Sequence, residues 1–152
     1  MKPGDVVADF GLPDQDGTIV TLSGLLSSGT VVLFFYPAAM TGGCTAESCH
    51  FRDLGGEFAQ LGAQPVGISA DPVSSQREFA QINGFDFPLL SDVDGKVASR
   101  FGVRRRFGPL PVKRRTFVIG TDSRIIDVIR SEFRMHHHAD HALATLRETT
   151  KR

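Results

Sequence analysis

The chain has 152 residues, 41% of them hydrophobic and 22% charged, with 17 Lys and Arg balanced by 17 Asp and Glu. That length suits one domain, expected over 1–152, with a sizeable core of ordinary globular composition. A formal net charge of zero removes any global electrostatic case for nucleic-acid or membrane binding, and the longest apolar run, Thr30 to Ala39, is too short to span a bilayer.

In chain order, Asp9-Phe10-Gly11-Leu12 and Thr18 to Leu22 are short, partly alternating runs around the turn residues Pro13 to Gly17, and they predict an N-terminal hairpin. Leu22 to Leu26 follows as a helical turn with Ser23 as its expected cap. Thr30 to Tyr36 is almost wholly apolar, β-branched and aromatic, which predicts a strand covered on both faces. Pro37 ends it. From about Cys44 to Leu61 the apolar residues Phe51, Leu54, Phe58 and Leu61 recur at helical spacing, with Glu47 expected in the first turn, where it complements the helix dipole.

Gln64 to Ala70 reads as the next strand, and Asp71-Pro72 opens a helix with Val73, Phe79 and Ile82 expected inside and Gly84 past its end. Phe87 to Leu90 is a short extended piece and Asp94 to Phe101 a short helix. Val103 to Arg115 is a loop rich in Gly, Pro and Arg. Two strands, Arg114 to Ile119 and Arg124 to Arg130, flank a turn, and a last helix runs from about His138 to Glu148 with Leu143 and Leu146 inward. The order implies an α/β fold, a central mixed sheet with helices on both faces.

Both cysteines, Cys44 and Cys49, lie where a strand gives way to a helix. A thiol at a helix N-terminus is a candidate nucleophile, because the amides there favour its ionised form. Thr41 offers a hydroxyl three residues earlier, and Gly42-Gly43 lets the backbone fold tightly around the sulfur. No apolar leader follows Met1-Lys2-Pro3-Gly4-Asp5, so a cytoplasmic location is expected. In a reducing compartment, close cysteines favour catalytic or metal-binding roles over a permanent staple. On one intact helix, residues five apart sit roughly 8–9 Å apart at Cα, while a disulfide tolerates at most about 7 Å. A bond between the two therefore requires the first helical turns, Cys44 to about Phe51, to unwind, with Gly42-Gly43 and Gly55-Gly56 as the weak points.

The pattern Pro37-x-x-x-Thr41-x-x-Cys44 resembles the peroxidatic motif of the peroxiredoxins. Cys49, after four intervening residues, is similar to the resolving cysteine of the atypical two-cysteine branch called bacterioferritin comigratory protein or PrxQ. The runs Leu12 to Gly17 and Cys49-His50-Phe51-Arg52-Asp53 resemble the same branch, and Arg114-Arg115-Thr116-Phe117 resembles its arginine-bearing strand. The resemblance implies a thioredoxin-like fold and a thiol peroxidase acting on hydrogen peroxide and alkyl hydroperoxides without cofactor or metal. In that reading Cys44 is the peroxidatic nucleophile, and Thr41 with the amides near Gly43 holds the peroxide. Arg114 favours the thiolate, Pro37 shields the pocket, and Cys49 resolves the sulfenic acid as a disulfide that thioredoxin reduces. A monomer or weak homodimer is expected. Two departures stand out: Ala38 where the branch commonly has lysine, and Gly42 where it commonly has proline.

Other readings compete. A thioredoxin-type oxidoreductase normally uses Cys-x-x-Cys, which this spacing is not. A copper-handling or redox-sensing protein would use both cysteines and a histidine. His136-His137-His138 with His141 admits metal binding, against a solvated helix start. Arg104-Arg105-Arg106 with Lys113-Arg114-Arg115 admits nucleic-acid contact, against a solvated loop that delivers one arginine to the site. Glu47 is either a dipole-complementing surface residue or a partner of that arginine.

Overall fold

The uncharged run Thr30–Phe35 forms β3, the middle strand of a five-stranded sheet in the computed structural model, which describes residues 1–105, 111–130 and 136–150. Before it come β1 (Gly11–Pro13), β2 (Ile19–Thr21) and α1 (Leu22–Leu26). After it come α2 (Gly42–Asp53), α3 (Gly55–Gln60), β4 (Ala63–Ser69) and α4 (Val73–Asn83). The chain continues through β5 (Leu89–Ser91), α5 (Lys96–Arg100), β6 (Arg115–Ile119), β7 (Ile125–Arg130) and α6 (His137–Thr150). β1 and β2 make the separate antiparallel hairpin. The sheet order is β5-β4-β3-β6-β7, parallel from β3 to β5 and antiparallel at β6 and β7. This is the mixed sheet expected of a thioredoxin-like fold.

Strand alternation splits the interior into two cores, one on each face of the sheet. Val31, Leu33 and Phe35 join Phe101, Phe117 and Ile119 on one side. Val32, Phe34 and Tyr36 join Cys44, Phe51 and Phe58 on the other, with Ala139, Ala142, Leu143 and Leu146 of α6. Each fully buried Phe stabilises by about 1.5–3 kcal/mol through the area taken from water. Phe34 and Phe51 also stack, with centroids 4.2 Å apart and planes at 9°, a geometry that adds about 0.5–1.5 kcal/mol. That stack ties α2 to the central strand.

Three local expectations need correcting. The helix expected over Cys44 to Leu61 is two helices that begin at Gly42 and break at Leu54, whose φ −93° and ψ 8° leave the helical region. Gly55-Gly56 explains the break, since each glycine is about 1 kcal/mol worse than alanine in a helix; the bend lets Phe51 and Phe58 both reach the core. The cap of α1 is Thr21, which accepts from the Gly24 amide at 3.1 Å, while the Ser23 hydroxyl turns to Asp9. Ile82 is 63% exposed, because α4 buries Gln76, Phe79 and Ala80. At 100° per residue that face is centred between 76 and 80, and position 82 lies well off it. Gly84 closes α4 at φ +65°, a left-handed cap that suits glycine.

Candidate active site

β3 ends at Phe35, and the Tyr36 amide still donates to Ile68 O, so the chain leaves the sheet at Pro37, which is buried. The connecting loop is held at both ends. The Ala39 amide donates to Asp71 Oδ2 at 2.7 Å, and Thr41 Oγ1 donates to Ala38 O at 2.8 Å. Between them Met40 takes φ +68°, a left-handed conformation unusual for a side chain of its size. Thr41 is the N-cap residue of α2 by backbone geometry, without a side-chain cap bond.

The first helical bond runs from the Thr45 amide to Thr41 O. The amides of Gly42, Gly43 and Cys44 therefore have no carbonyl four residues back within the helix. Cys44, third in the helix and 1% exposed, carries its sulfur in this amide-rich first turn.

Beneath the loop runs a buried polar chain that the sequence reading missed. The Tyr36 hydroxyl donates to Gln76 Oε1, and Gln76 Nε2 donates to Ser69 Oγ and Leu90 O, each at 2.9 Å. Ser69 Oγ donates in turn to Asp71 Oδ2 at 2.7 Å. Asp71 is thus fixed for its grip on Ala39. Burial pushes the Tyr36 phenol well above its ordinary pKa, so it stays a neutral donor. The signal for this chain was a polar Gln76 in phase with Phe79 and Ala80.

The register Phe35↔Arg115 puts Arg114 one residue before β6, beside the point where β3 runs into the active-site loop. Arg114 is 6% exposed; its Nη2 lies 3.4 Å from Cys44 Sγ and its Nη1 3.2 Å from Glu47 Oε2. Burial pushes the guanidinium pKa down, but Glu47 and then Cys44 push it up further, and the net shift is upward. Arg115 falls on the opposite side of the alternation and donates from Nη1 to Arg114 O at 2.8 Å.

Glu47 is fully buried and sits beyond the first turn of α2, which holds no acidic residue. The dipole reading is therefore replaced by the ion pair. Its carboxylate faces the Arg114 guanidinium.

His138 is fully buried as well, which corrects its reading as part of a solvated helix start. Its Nδ1 is 2.7 Å from Thr116 Oγ1 and its Nε2 3.9 Å from Glu47 Oε2. Spacing held the clue: His138 lies four residues before Ala142 on the buried face of α6.

Cys49 is half-buried, its thiol 3.7 Å from Asn83 Oδ1, and both cysteines are free thiols. Both lie on the continuous helix α2. His50 next to it meets Asp140 at 2.8 Å and packs its ring 4.2 Å from that of His136, while His141 meets Asp127 at 3.0 Å. Among the described residues no group of three or more His, Cys, Asp or Glu side chains is arranged to hold a metal ion. Of the basic loop, Arg104 pairs with Val112 across a β-bridge, and Arg106 lies outside the described residues. No helix among the described residues is long and apolar enough to cross a membrane.

Comparison with known proteins bears on the family and the fold. Residues 3–128 match the AhpC/TSA family. The crystal structure of peroxidoxin BcpB from Mycobacterium tuberculosis is 65% identical, with a TM-score of 0.93 and 97% of each chain covered. Peroxiredoxin Bcp of Escherichia coli strain K12 is 37% identical over 153 residues, 97% of each chain. A bacterioferritin comigratory protein of Xanthomonas campestris, whose structures concern its alkyl peroxide reduction activity, is 32% identical with a TM-score of 0.84, covering 92% of this chain and 91% of that one. On fold, on sequence across nearly its whole length and on these relatives, the chain belongs to the AhpC/TSA family, in its Bcp/PrxQ peroxiredoxin branch, whose work is thiol-dependent reduction of peroxides.

Proposed function

We propose that Cys44 is the peroxidatic nucleophile of a two-cysteine cycle resolved by Cys49. The observation that carries the reading is a buried thiol in the first turn of a helix with a guanidinium 3.4 Å away. A cation and helix amides together favour the thiolate, which is the attacking form. The thiolate attacks one oxygen of hydrogen peroxide or an alkyl hydroperoxide, and the O–O bond breaks. The sulfur becomes a sulfenic acid, and the other oxygen takes a proton and leaves as water or an alcohol. Arg114 faces the charge that moves from sulfur to the leaving oxygen, and the amides of Gly43 and Cys44 with the Thr41 hydroxyl receive the peroxide oxygens. Turning the Thr41 hydroxyl inward breaks its bond to Ala38 O. Pro37 closes the inner side of the pocket.

The Cys49 thiol then attacks the sulfenic sulfur, releasing water and leaving a disulfide. Five residues of intact helix hold the two Cα atoms roughly 8–9 Å apart, beyond the reach of about 7 Å, so α2 unwinds locally at this step. A dithiol protein of thioredoxin type reduces the disulfide by exchange, and the oxidoreductase returns to its starting state. Its place of work is the cytoplasm.

The test is one equivalent of hydrogen peroxide added to the reduced protein, followed by alkylation and intact mass. Loss of both alkylatable thiols with a mass about 2 Da below the reduced chain is expected. A sulfenic or sulfinic adduct with Cys49 still alkylated refutes the resolving step, and two unreacted thiols refute the peroxidase assignment of Cys44. Arg114→Ala should slow the oxidation far more than Arg115→Ala.

A further inference from the structure

We propose that His138 is a positioning residue of the peroxide site, holding the Glu47 carboxylate in the pose that sets Arg114 against Cys44. The proposal rests on the reading of Cys44 and Arg114 given above. Glu47 and His138 are both fully buried, and His138 Nε2 faces Glu47 Oε2 at 3.9 Å. Arg114 Nη1 and His138 Nε2 approach the same carboxylate oxygen, Oε2, from two different elements, so together they limit where that oxygen sits. The imidazole is itself pinned. Its Nδ1 lies 2.7 Å from Thr116 Oγ1, and Thr116 follows Arg114 by two residues along the same face of the strand.

The contacts therefore close a ring. Arg114 meets Glu47 of α2, Glu47 faces His138 of α6, His138 meets Thr116 of β6, and the β6 backbone leads back to Arg114. Three separate elements set the place of one guanidinium. Among the described residues, the charged and titratable groups seen to face this ring are Glu47 and Cys44 from α2 and Arg114 beside β6. His137 is a neighbour of His138 along α6, its ring centroid 6.4 Å away, but it pairs with His141 at 5.3 Å on the outward side. A guanidinium displaced by roughly 1 Å loses much of its effect on a reaction at sulfur.

A packing role predicts something different. If His138 only anchors α6 through Thr116, then the Nδ1 side matters and the Nε2 side does not. Two substitutions separate these. The glutamine amide nitrogen reaches about where Nε2 sits, and the asparagine amide reaches about where Nδ1 sits. The readout is the rate at which peroxide consumes the Cys44 thiol, with melting temperature measured alongside.

His138→Gln is expected to keep the rate within about threefold, and His138→Asn, which no longer reaches Glu47, to lose about tenfold. In a Glu47→Gln background, His138→Asn should cost nothing further, since it acts through Glu47. Thr116→Val, which removes the pin at nearly constant volume, should slow the rate in the same direction and also fall silent with Glu47→Gln. It serves as the decisive variant if His138→Asn fails to fold. Equal or better activity of the asparagine variant, or losses that multiply with Glu47→Gln, overturns the proposal. An unchanged rate in Glu47→Gln alone overturns instead the reading of Glu47 as the partner that holds Arg114.

Discussion

Replacing Glu47 by glutamine keeps its shape and removes its charge. In the native protein Glu47 Oε2 and Arg114 Nη1 are 3.2 Å apart with almost no solvent access. At an effective dielectric constant of about 20, that separation corresponds to about 5 kcal/mol of attraction. Desolvation offsets much of it while the pair is intact, but removing one partner leaves the other buried, at a cost of about 3–5 kcal/mol. The glutamine carbonyl still offers an acceptor, which places the expected loss near 3 kcal/mol. Against a total stability of about 5–15 kcal/mol the variant still folds. The expected drop in melting temperature is about 6–12 °C for a chain of this size. Peroxide-driven loss of the Cys44 thiol should slow by about tenfold or more, since the guanidinium is held less firmly. Thermal unfolding by circular dichroism and stopped-flow oxidation measure both quantities on one preparation. A melting temperature within about 2 °C of the parent with an unchanged rate would refute the argument.

Three further outcomes follow from other parts of the fold. A Cβ built on Gly67 would lie 2.8 Å from Leu89 Cδ2 and 3.0 Å from both Phe34 Cζ and Tyr36 Cε1, so Gly67→Ala should destabilise by about 1–3 kcal/mol in denaturant titration; a neutral result would mean that the aromatic wall yields freely. Met40→Gly relieves a left-handed residue and should offset about 1 kcal/mol of strain, partly countered by glycine's freedom in the unfolded chain; a clear loss of stability would show that the Met40 side chain contributes packing. Asp9 has its pKa lowered, first by the Ser23 amide and then by the Ser23 hydroxyl. A depressed folded pKa gives stability that is present above the unfolded value and lost as pH falls through the folded one. Asp9→Asn should therefore be less stable than the parent at neutral pH, and the gap should narrow below the ordinary value of 3.8; a gap independent of pH would assign the effect to something other than charge.

The sequence was most legible where one periodicity governs a whole element. β3 was readable because every residue from Thr30 to Phe35 suits a strand buried on both faces, and the hairpin because Asp14 and Gly17 supply turn chemistry between two short runs. The break at Leu54 was harder to see. Phe51, Leu54, Phe58 and Leu61 keep helical spacing straight across it, and only the paired glycines at 55 and 56 carry the signal. At the site, the sulfur and its arginine could be named from the motifs that carry the family resemblance. The members supplied by distant elements could not. His138 stood among other histidines and read as a polar run, yet the fold turns it inward while His136 remains exposed. Gln76 was hidden likewise, because a polar residue on an apolar face is discounted until its partners Tyr36 and Ser69 are known.

The interruption at Leu54 also sets a boundary for motion. In the proposed cycle α2 opens, and a continuous helix running on to Leu61 would transmit that fraying toward β4. Here the Leu54 amide closes back on His50 O while Leu54 O starts the next helix by accepting from Phe58, so α3 is nucleated independently and keeps Phe58 in the core. Opening therefore stays a local event of low cost. It also creates surplus contour, because each residue that leaves a helix for extended chain gains about 1.8 Å. With the strand fixed at one end and α3 at the other, while the two sulfurs draw together, that surplus can only go outward into solvent. The oxidised protein would then differ from the reduced one in shape as well as in its sulfur, and a reductant could tell the two apart before any exchange begins.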